Sequence, residues 1–427
     1  MSADRDGAGD AEAVWTRRSK WAALACLAFL TLVGNPAHRG GNTASRLATV
    51  ESLVHRGTFD ISGSPFLEET VDYVRLDGRA LSSKPPLLAV VAAGVYAPLH
   101  ALGLDLFEDV EIVHRVLVFF VETIPQALLL WAGFLWLRLV SKDPRARGWT
   151  FVMLCFGFLG AGYATTLNNH SPAAAAAVGA LYLTTKIARA ETPGRRDVAL
   201  LGLCLGLLPT LDFLTSPLVI GFGLVLLWRA PKATFTVALP AALVPIGLHL
   251  YLTWLATGSV LPVYARGDLY RFEGGYWTEP RGLDALHEPK WLYTFHLLFG
   301  HHGLFLLTPI LVYGVIEALR AIRARADLWR EALITLVALV LIGGAMIVRT
   351  PNYGGACVGF RWLIPVMPLV ILFCVRWLER TGSMWRGGMA IAFFVSVTTF
   401  VNAAVHPWSH SGIHWLFHQV VDTGALL

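Results

Sequence analysis

Residues 42–88 read NTASRLATVESLVHRGTFDISGSPFLEETVDYVRLDGRALSSKPPLL, a polar and charged interval between two apolar runs. The rest of the chain is mostly hydrophobic. Of 427 residues, 55% are hydrophobic and only 15% charged, and the mean hydropathy is +0.57. Soluble domains carry roughly 25% charged residues, so this composition points to an integral membrane protein. Ionisable groups gathered at a helix mouth in such a protein mark a candidate functional site.

Working outward, about 11–12 apolar segments surround this interval. The first spans 21–33, after the basic residues Arg17, Arg18 and Lys20. Others follow near 86–104, 113–140, 149–167, 171–188, 198–214, 217–228, 234–256, 303–320, 332–348, 361–378 and 387–404. Backbone groups cannot be left unpaired in lipid, so these runs are expected to be helices. The expected fold is an all-α, polytopic transmembrane bundle with an outer-face loop carrying short surface helices. Residues 1–16 are small, polar and acidic and predict a disordered cytoplasmic tail. Residues 17–404 form one transmembrane domain, with outer loops at 35–85 and 257–302, and 405–427 form an outer interfacial tail.

Orientation follows from the basic loops. If 86–104, interrupted by Pro98, does not cross fully, the basic stretches 138–147, 186–196, 229–232, 320–330 and 376–386 all fall in the cytoplasm. That gives eleven crossings in the plasma membrane, the N-terminus inside and the polar motifs outside. The net charge of +5 is spread over these short loops, not gathered in a patch, which argues against nucleic-acid binding. The five cysteines show no paired spacing, so neither a disulfide framework nor a zinc site is read from them.

Within the opening stretch, Leu47, Val50, Leu53 and Val54 recur at helical spacing and predict a short helix lying along the membrane surface. Gly57 ends it. The run VDYVRLDGRA (71–80) alternates around an Asp-Gly turn signal. Lys84 then precedes Pro85 and Pro86, which open the next helix. The surface helix, the Gly-Thr-Phe-Asp piece and the Lys-Pro-Pro-Leu helix start together resemble the C-type fold, lipid-dependent membrane glycosyltransferases. That group includes the aminoarabinose transferases of lipid A and the protein O-mannosyltransferases of glycosyltransferase family 39. The resemblance is best over 42–104 and continues loosely to about 190. The motifs EPKWLYTFHLLFGHHG (288–303) and NYGGACVGFRW (352–362) look like bacterial members of the same group.

The resemblance implies transfer of a sugar from a polyprenyl-phosphate donor to a lipid, glycan or protein acceptor, with membrane lipid as the other partner. It also implies an acidic catalytic base near the start of the surface helix, where this chain has Asn42. Asp72, Glu51 and Asp60 are the nearby alternatives, with Asp72 preferred because its strand leads into Lys84. Each has a plainer reading as a solvated loop carboxylate. A phosphate leaving group calls for cations where negative charge develops, and Lys84, Arg46 and Arg361 suit that role. Lys84 could instead snorkel at the interface.

Asn42, Asn168, Asn169 and His170 are expected to bind substrate, the last three at a helix start in TTLNNHSP (165–172). In the resembling family a second acid often stands there. His301, His302, Asn352 and Tyr353 are further substrate-binding candidates. A divalent cation is the one cofactor left open, through His301 and His302 or through His406, His410, His414 and His418, spaced four apart. Rival readings are a transporter or flippase for a lipid-linked sugar and a non-catalytic binder of one.

Overall fold

Helices form along nearly all the apolar runs in the computed structural model, which describes residues 3–34, 40–280, 288–350, 352–410 and 413. The chain is an all-α, multi-pass membrane protein. Four helices, Val110–Val140, Pro231–Thr257, Trp329–Arg349 and Arg386–Val405, are long and apolar enough to cross a bilayer, and the bent pair Pro144–Phe156 and Leu159–Thr165 adds a fifth. The bent pair meets at 53°; of the other runs, His170–Arg189 is an unbroken helix of 20 residues, whereas the run at 361–378 splits into Met367–Leu372 and Cys374–Thr381. All six residues of Met367–Leu372 are buried, so neighbouring helices rather than lipid surround its break.

The first helix, α1 (Ala3–Val33), begins within the tail that composition predicts to be disordered. Tertiary contacts outweigh the weak local propensity there. Trp15 stacks on Phe134 with ring centroids 4.4 Å apart, Arg147 lies 4.3 Å over the same indole, and Glu12 pairs with Arg147.

The second helix, α2 (Gly41–Arg56), occupies the predicted position but is not a surface helix. Every residue from Asn42 to Ser52 is buried, polar ones included. Leu47 and Val50 share a core with Ile61, Phe66 and Ala89. The hairpin behind it pairs β1 (Tyr73–Leu76) with β2 (Arg79–Ser82), antiparallel, Tyr73 opposite Ser82. Its two turn residues, Asp77 and Gly78, both have positive φ (51° and 78°), as a tight hairpin turn of this hand requires. Ser45 Oγ fixes the hairpin to α2, reaching the Asp72 carbonyl and Ser82 Oγ, each at 2.6 Å. The Lys-Pro-Pro segment then opens α3 (Pro86–Ala101). At 16 residues α3 is about 24 Å long, less than the roughly 30 Å of hydrocarbon.

Loop 257–280 folds over the hairpin. Leu269 joins Val74 and Leu81 in a small core, Tyr73 packs 5.5 Å from Phe272, and Trp277 Nε1 donates to the Val71 carbonyl at 2.9 Å. On the far wall, the helices Arg195–Leu211 and Pro231–Thr257 touch through glycine. A Cβ on Gly202 would lie 2.2 Å from the Ala238 oxygen, and one on Gly206 would lie 2.3 Å from that of Ala242. This is close packing of the small-xxx-small kind.

Candidate functional site

Arg46 projects inward from α2 and is 1% exposed. One terminal nitrogen donates to the Asn42 carbonyl at 2.9 Å and to its side-chain oxygen; the other donates to Asn169 Oδ1 at 2.6 Å. Burial pulls its guanidinium down to about 10, against the opposing charges of Glu122 and Asp72. Lys84 Nζ, at the start of the Lys-Pro-Pro segment, pairs with Asp72 Oδ2 at 2.9 Å. Burial likewise holds Lys84 below the ordinary lysine range; Asp72 works to raise it, and Arg46 and Arg361 add to the lowering. The three cations thus lie within each other's electrostatic reach.

Arg361 stands in a one-turn helix, Arg361–Leu363. Its guanidinium carbon lies 5.2 Å from the Trp408 ring centre, and Nη2 donates to the Gly354 carbonyl at 3.0 Å. The remaining Arg361 nitrogens, Nε and Nη1, and Arg46 Nε are buried without hydrogen-bond partners among the described residues. Neither arginine forms an ion pair there: Asp72 is taken by Lys84, and Asp212 by His170 at 2.7 Å. Buried charges of this kind are costly unless matched. An added anion would match these charges.

Beside the cations runs a cleft of about 530 Å³, including its open mouth. Arg46, Thr49, Ser82, Ser83 and Lys84 form its polar wall; His249, Thr253 and Thr257 of the Pro231–Thr257 helix, with Tyr264, form the other. His249 is 4% exposed, and neither ring nitrogen has a partner among the described residues. The same helix turns Val244, Tyr251 and Trp254 outward, 67%, 54% and 49% exposed. Both walls thus carry polar groups, and the second is continuous with a surface suited to lipid.

The structure brings together only some of the residues singled out from the sequence. Asn42, Arg46, Asp72, Lys84, Asn169, His170 and Arg361 converge. Glu51 does not join them as a base: both its oxygens are held by Arg56 at 2.7 Å, with His55 at 3.4 Å. Asp60 stands apart as well: its carboxylate accepts from the Ser62 amide and hydroxyl at 3.0 and 2.6 Å within a turn. Asn168 is fully buried and faces inward: its backbone and side-chain nitrogens reach Glu122 at 2.7 and 3.3 Å, and its oxygen accepts from the amides of His170 and Ser171. Its side-chain oxygen thereby caps the start of the helix His170–Arg189.

His301, His302 and Tyr353 are packed together too, His302 stacking on Tyr353 at 4.7 Å and His301 on His296 at 4.1 Å. Asn352 accepts from Tyr293 at 2.6 Å and from the Gly354 amide at 2.9 Å. These residues shape the loop that carries Arg361 and do not line the cleft. Among the described residues no group of three or more His, Cys, Asp or Glu is placed to hold a metal; His414 and His418 lie outside them.

Two contributors escaped the sequence reading. Glu122 sits in a run so apolar that it gave no signal, and Trp408 lies in the segment expected only to be an interfacial tail. Trp408 Nε1 donates to both Thr43 and Thr166 at 3.1 Å, tying the start of α2 to the Asn168–Asn169 turn.

No family model and no curated protein matches the chain. Among solved structures, ArnT from Cupriavidus metallidurans in the apo state is similar, with a TM-score of 0.54 at 15% identity over 86% of this chain and 60% of that one. The fold is thereby settled. This chain has the C-type glycosyltransferase fold. ArnT bound to undecaprenyl phosphate matches at a TM-score of 0.50 and 14% identity, over the same shares of the two chains. The Archaeoglobus fulgidus oligosaccharyltransferase in the apo form gives 0.48 at 13% identity, covering 93% of this chain and 57% of that one. The chain spans about 60% of the length of the structures it resembles.

Proposed function

We propose that this protein transfers a sugar from a polyprenyl-phosphate donor to a lipid, glycan or protein acceptor at the outer face of the plasma membrane. One observation carries the reading: Arg46 and Lys84 line a cleft whose other wall belongs to a lipid-suited helix, with Arg361 in electrostatic reach of both, and neither guanidinium has an ion pair among the described residues. A prenyl phosphate has the matching chemistry, an anion on an apolar tail. Lys84 supplies a point charge to the phosphate, and Arg46 and Arg361 supply planar donors. These charges stabilise the phosphate as it departs from the sugar. His249 gives an imidazole N–H on the opposite wall. Asp72 stays the counter-ion of Lys84, and the donor phosphate is met by the remaining N–H groups of the ammonium.

The shared fold with ArnT, which has been solved with undecaprenyl phosphate, supports this donor class. Orientation rests on the basic loops, which place the N-terminus in the cytoplasm. The test is transfer from radiolabelled polyprenyl-phosphate sugars by the protein in lipid vesicles, wild type against Lys84→Ala. Loss of about 10²- to 10³-fold in kcat is expected, the size of removing one donor to a developing oxyanion. The absence of an acid at Asn42 favours one rival, a non-catalytic binder of the same lipid. Binding of undecaprenyl phosphate that needs Lys84, with no transfer from any donor, would establish that rival.

A further inference from the structure

One buried pair beside the cations takes no part in holding phosphate. Asp212 ends the helix Arg195–Leu211, and His170 begins the helix His170–Arg189. Their side chains are only 5% and 7% exposed and meet through His170 Nδ1 and Asp212 Oδ2 at 2.7 Å. Both ends are braced. The other Asp212 oxygen accepts from the Leu214 amide at 3.2 Å, and the His170 amide donates to Asn168 Oδ1 at 2.8 Å. The neighbouring residue, Asn169, is the partner of Arg46. Arg46 and Arg361 both act electrostatically on His170, and Asp212 acts on Arg46 and on Tyr264 in the cleft wall. The pair therefore lies within electrostatic reach of the cations and is joined to Arg46 through the adjacent Asn169.

A carboxylate on Nδ1 selects the tautomer that carries its proton there, which leaves the Nε2 lone pair to accept another. The other candidates for that task are engaged. Asp72 is paired with Lys84, Glu122 is fully buried against Asn168, and the amide of Asn42 takes up no proton. Resting on the transferase reading, we propose that His170, oriented by Asp212, is the base that receives the proton of the acceptor hydroxyl. The acceptor oxygen forms a bond to the anomeric carbon as the bond from that carbon to the phosphate oxygen breaks. The electron pair of the broken bond leaves on the lipid phosphate, beside Lys84 and Arg46. The hydroxyl proton passes to His170 Nε2, and Asp212, a positioning residue, stabilises the imidazolium.

The experiment uses the full chain in vesicles, radiolabelled polyprenyl-phosphate hexoses and pentoses as donors, and membrane extract as acceptor. His170→Ala should lower kcat by about 10²- to 10⁴-fold, the usual contribution of a general base. Affinity for undecaprenyl phosphate should stay within about twofold, and added imidazole should restore part of the rate. His170→Asn keeps an amide donor to Asp212 but accepts no proton, so it should fold as the wild type does and be equally slow. Asp212→Asn should shift the acidic limb of the kcat profile; the charges that face His170, namely Asp212, Arg46 and Arg361, set where that limb lies. Asp72→Asn should change donor KM more than kcat. Wild-type rates in both His170 variants would overturn the assignment while leaving the transferase reading intact. So would an Asp72→Asn enzyme that binds donor normally yet does not turn over. A wild-type protein that binds undecaprenyl phosphate but transfers from no donor would remove the transferase reading, and the base with it.

Discussion

Lys84 carries opposing electrostatic influences on a single ammonium. Burial and two guanidiniums disfavour its proton, and Asp72 alone among the groups acting most strongly on it favours it. Its folded pKa therefore lies below the usual lysine value of about 10.4. The sign of the resulting pH dependence is fixed: the charge that binds phosphate is present below the depressed pKa and is lost as pH rises through it. Affinity for undecaprenyl phosphate, followed from pH 7 upward, should decline earlier than an ordinary lysine would allow. Lys84→Arg should push that decline to higher pH, because an arginine starts from a much higher value. An unchanged alkaline limb in Lys84→Arg would show that another group sets it. Lys84 itself was legible in the sequence, since two prolines and a polar loop mark a helix mouth. The Asp212–His170 pair was not legible, because its members stand 42 residues apart in sequence.

At the scale of elements, α2 shows where pattern reading reaches its limit. Leu47, Val50, Leu53 and Val54 correctly gave a helix, because their period depends only on local geometry. They also suggested a half-exposed one, and that failed. Asn42, Arg46 and Glu51 are buried by the hairpin, the Asn168–Asn169 turn and Trp408, all distant in sequence. The same dependence on distant chain governs the glycine contact between Arg195–Leu211 and Pro231–Thr257. That contact holds the helix bearing Asp212 against the helix bearing His249. Gly206→Leu places a side chain where even a Cβ meets the Ala242 oxygen at 2.3 Å, so it should cost about 1–3 kcal/mol and lower the melting temperature. Gly223→Leu is the matched control, as a Cβ there meets nothing within 4 Å. Equal melting temperatures for the two variants would mean the helices separate without cost.

For the whole molecule, hydropathy identified the class and marked the apolar runs, but not where they break. Apolar composition records where a segment is buried, whether by lipid or by other helices. The run at 361–378 is buried by protein, so it can break in the middle, whereas Trp329–Arg349 continues unbroken for 21 residues. The Pro231–Thr257 helix stands at the other extreme: only 22% of its most apolar window is covered by protein, and its inner edge is a wall of the cleft. A substrate reaching the cations along that edge travels in two dimensions and never leaves the amphiphile phase. The concentration that matters is then the mole fraction of donor among all lipids and detergents present. Diluting the donor with inert phospholipid at constant bulk concentration should slow transfer in proportion, while adding buffer should leave the rate untouched. Rates that follow bulk concentration instead would mean the donor enters from water. Detergent in this geometry is a diluent of substrate as well as a solvent for the protein.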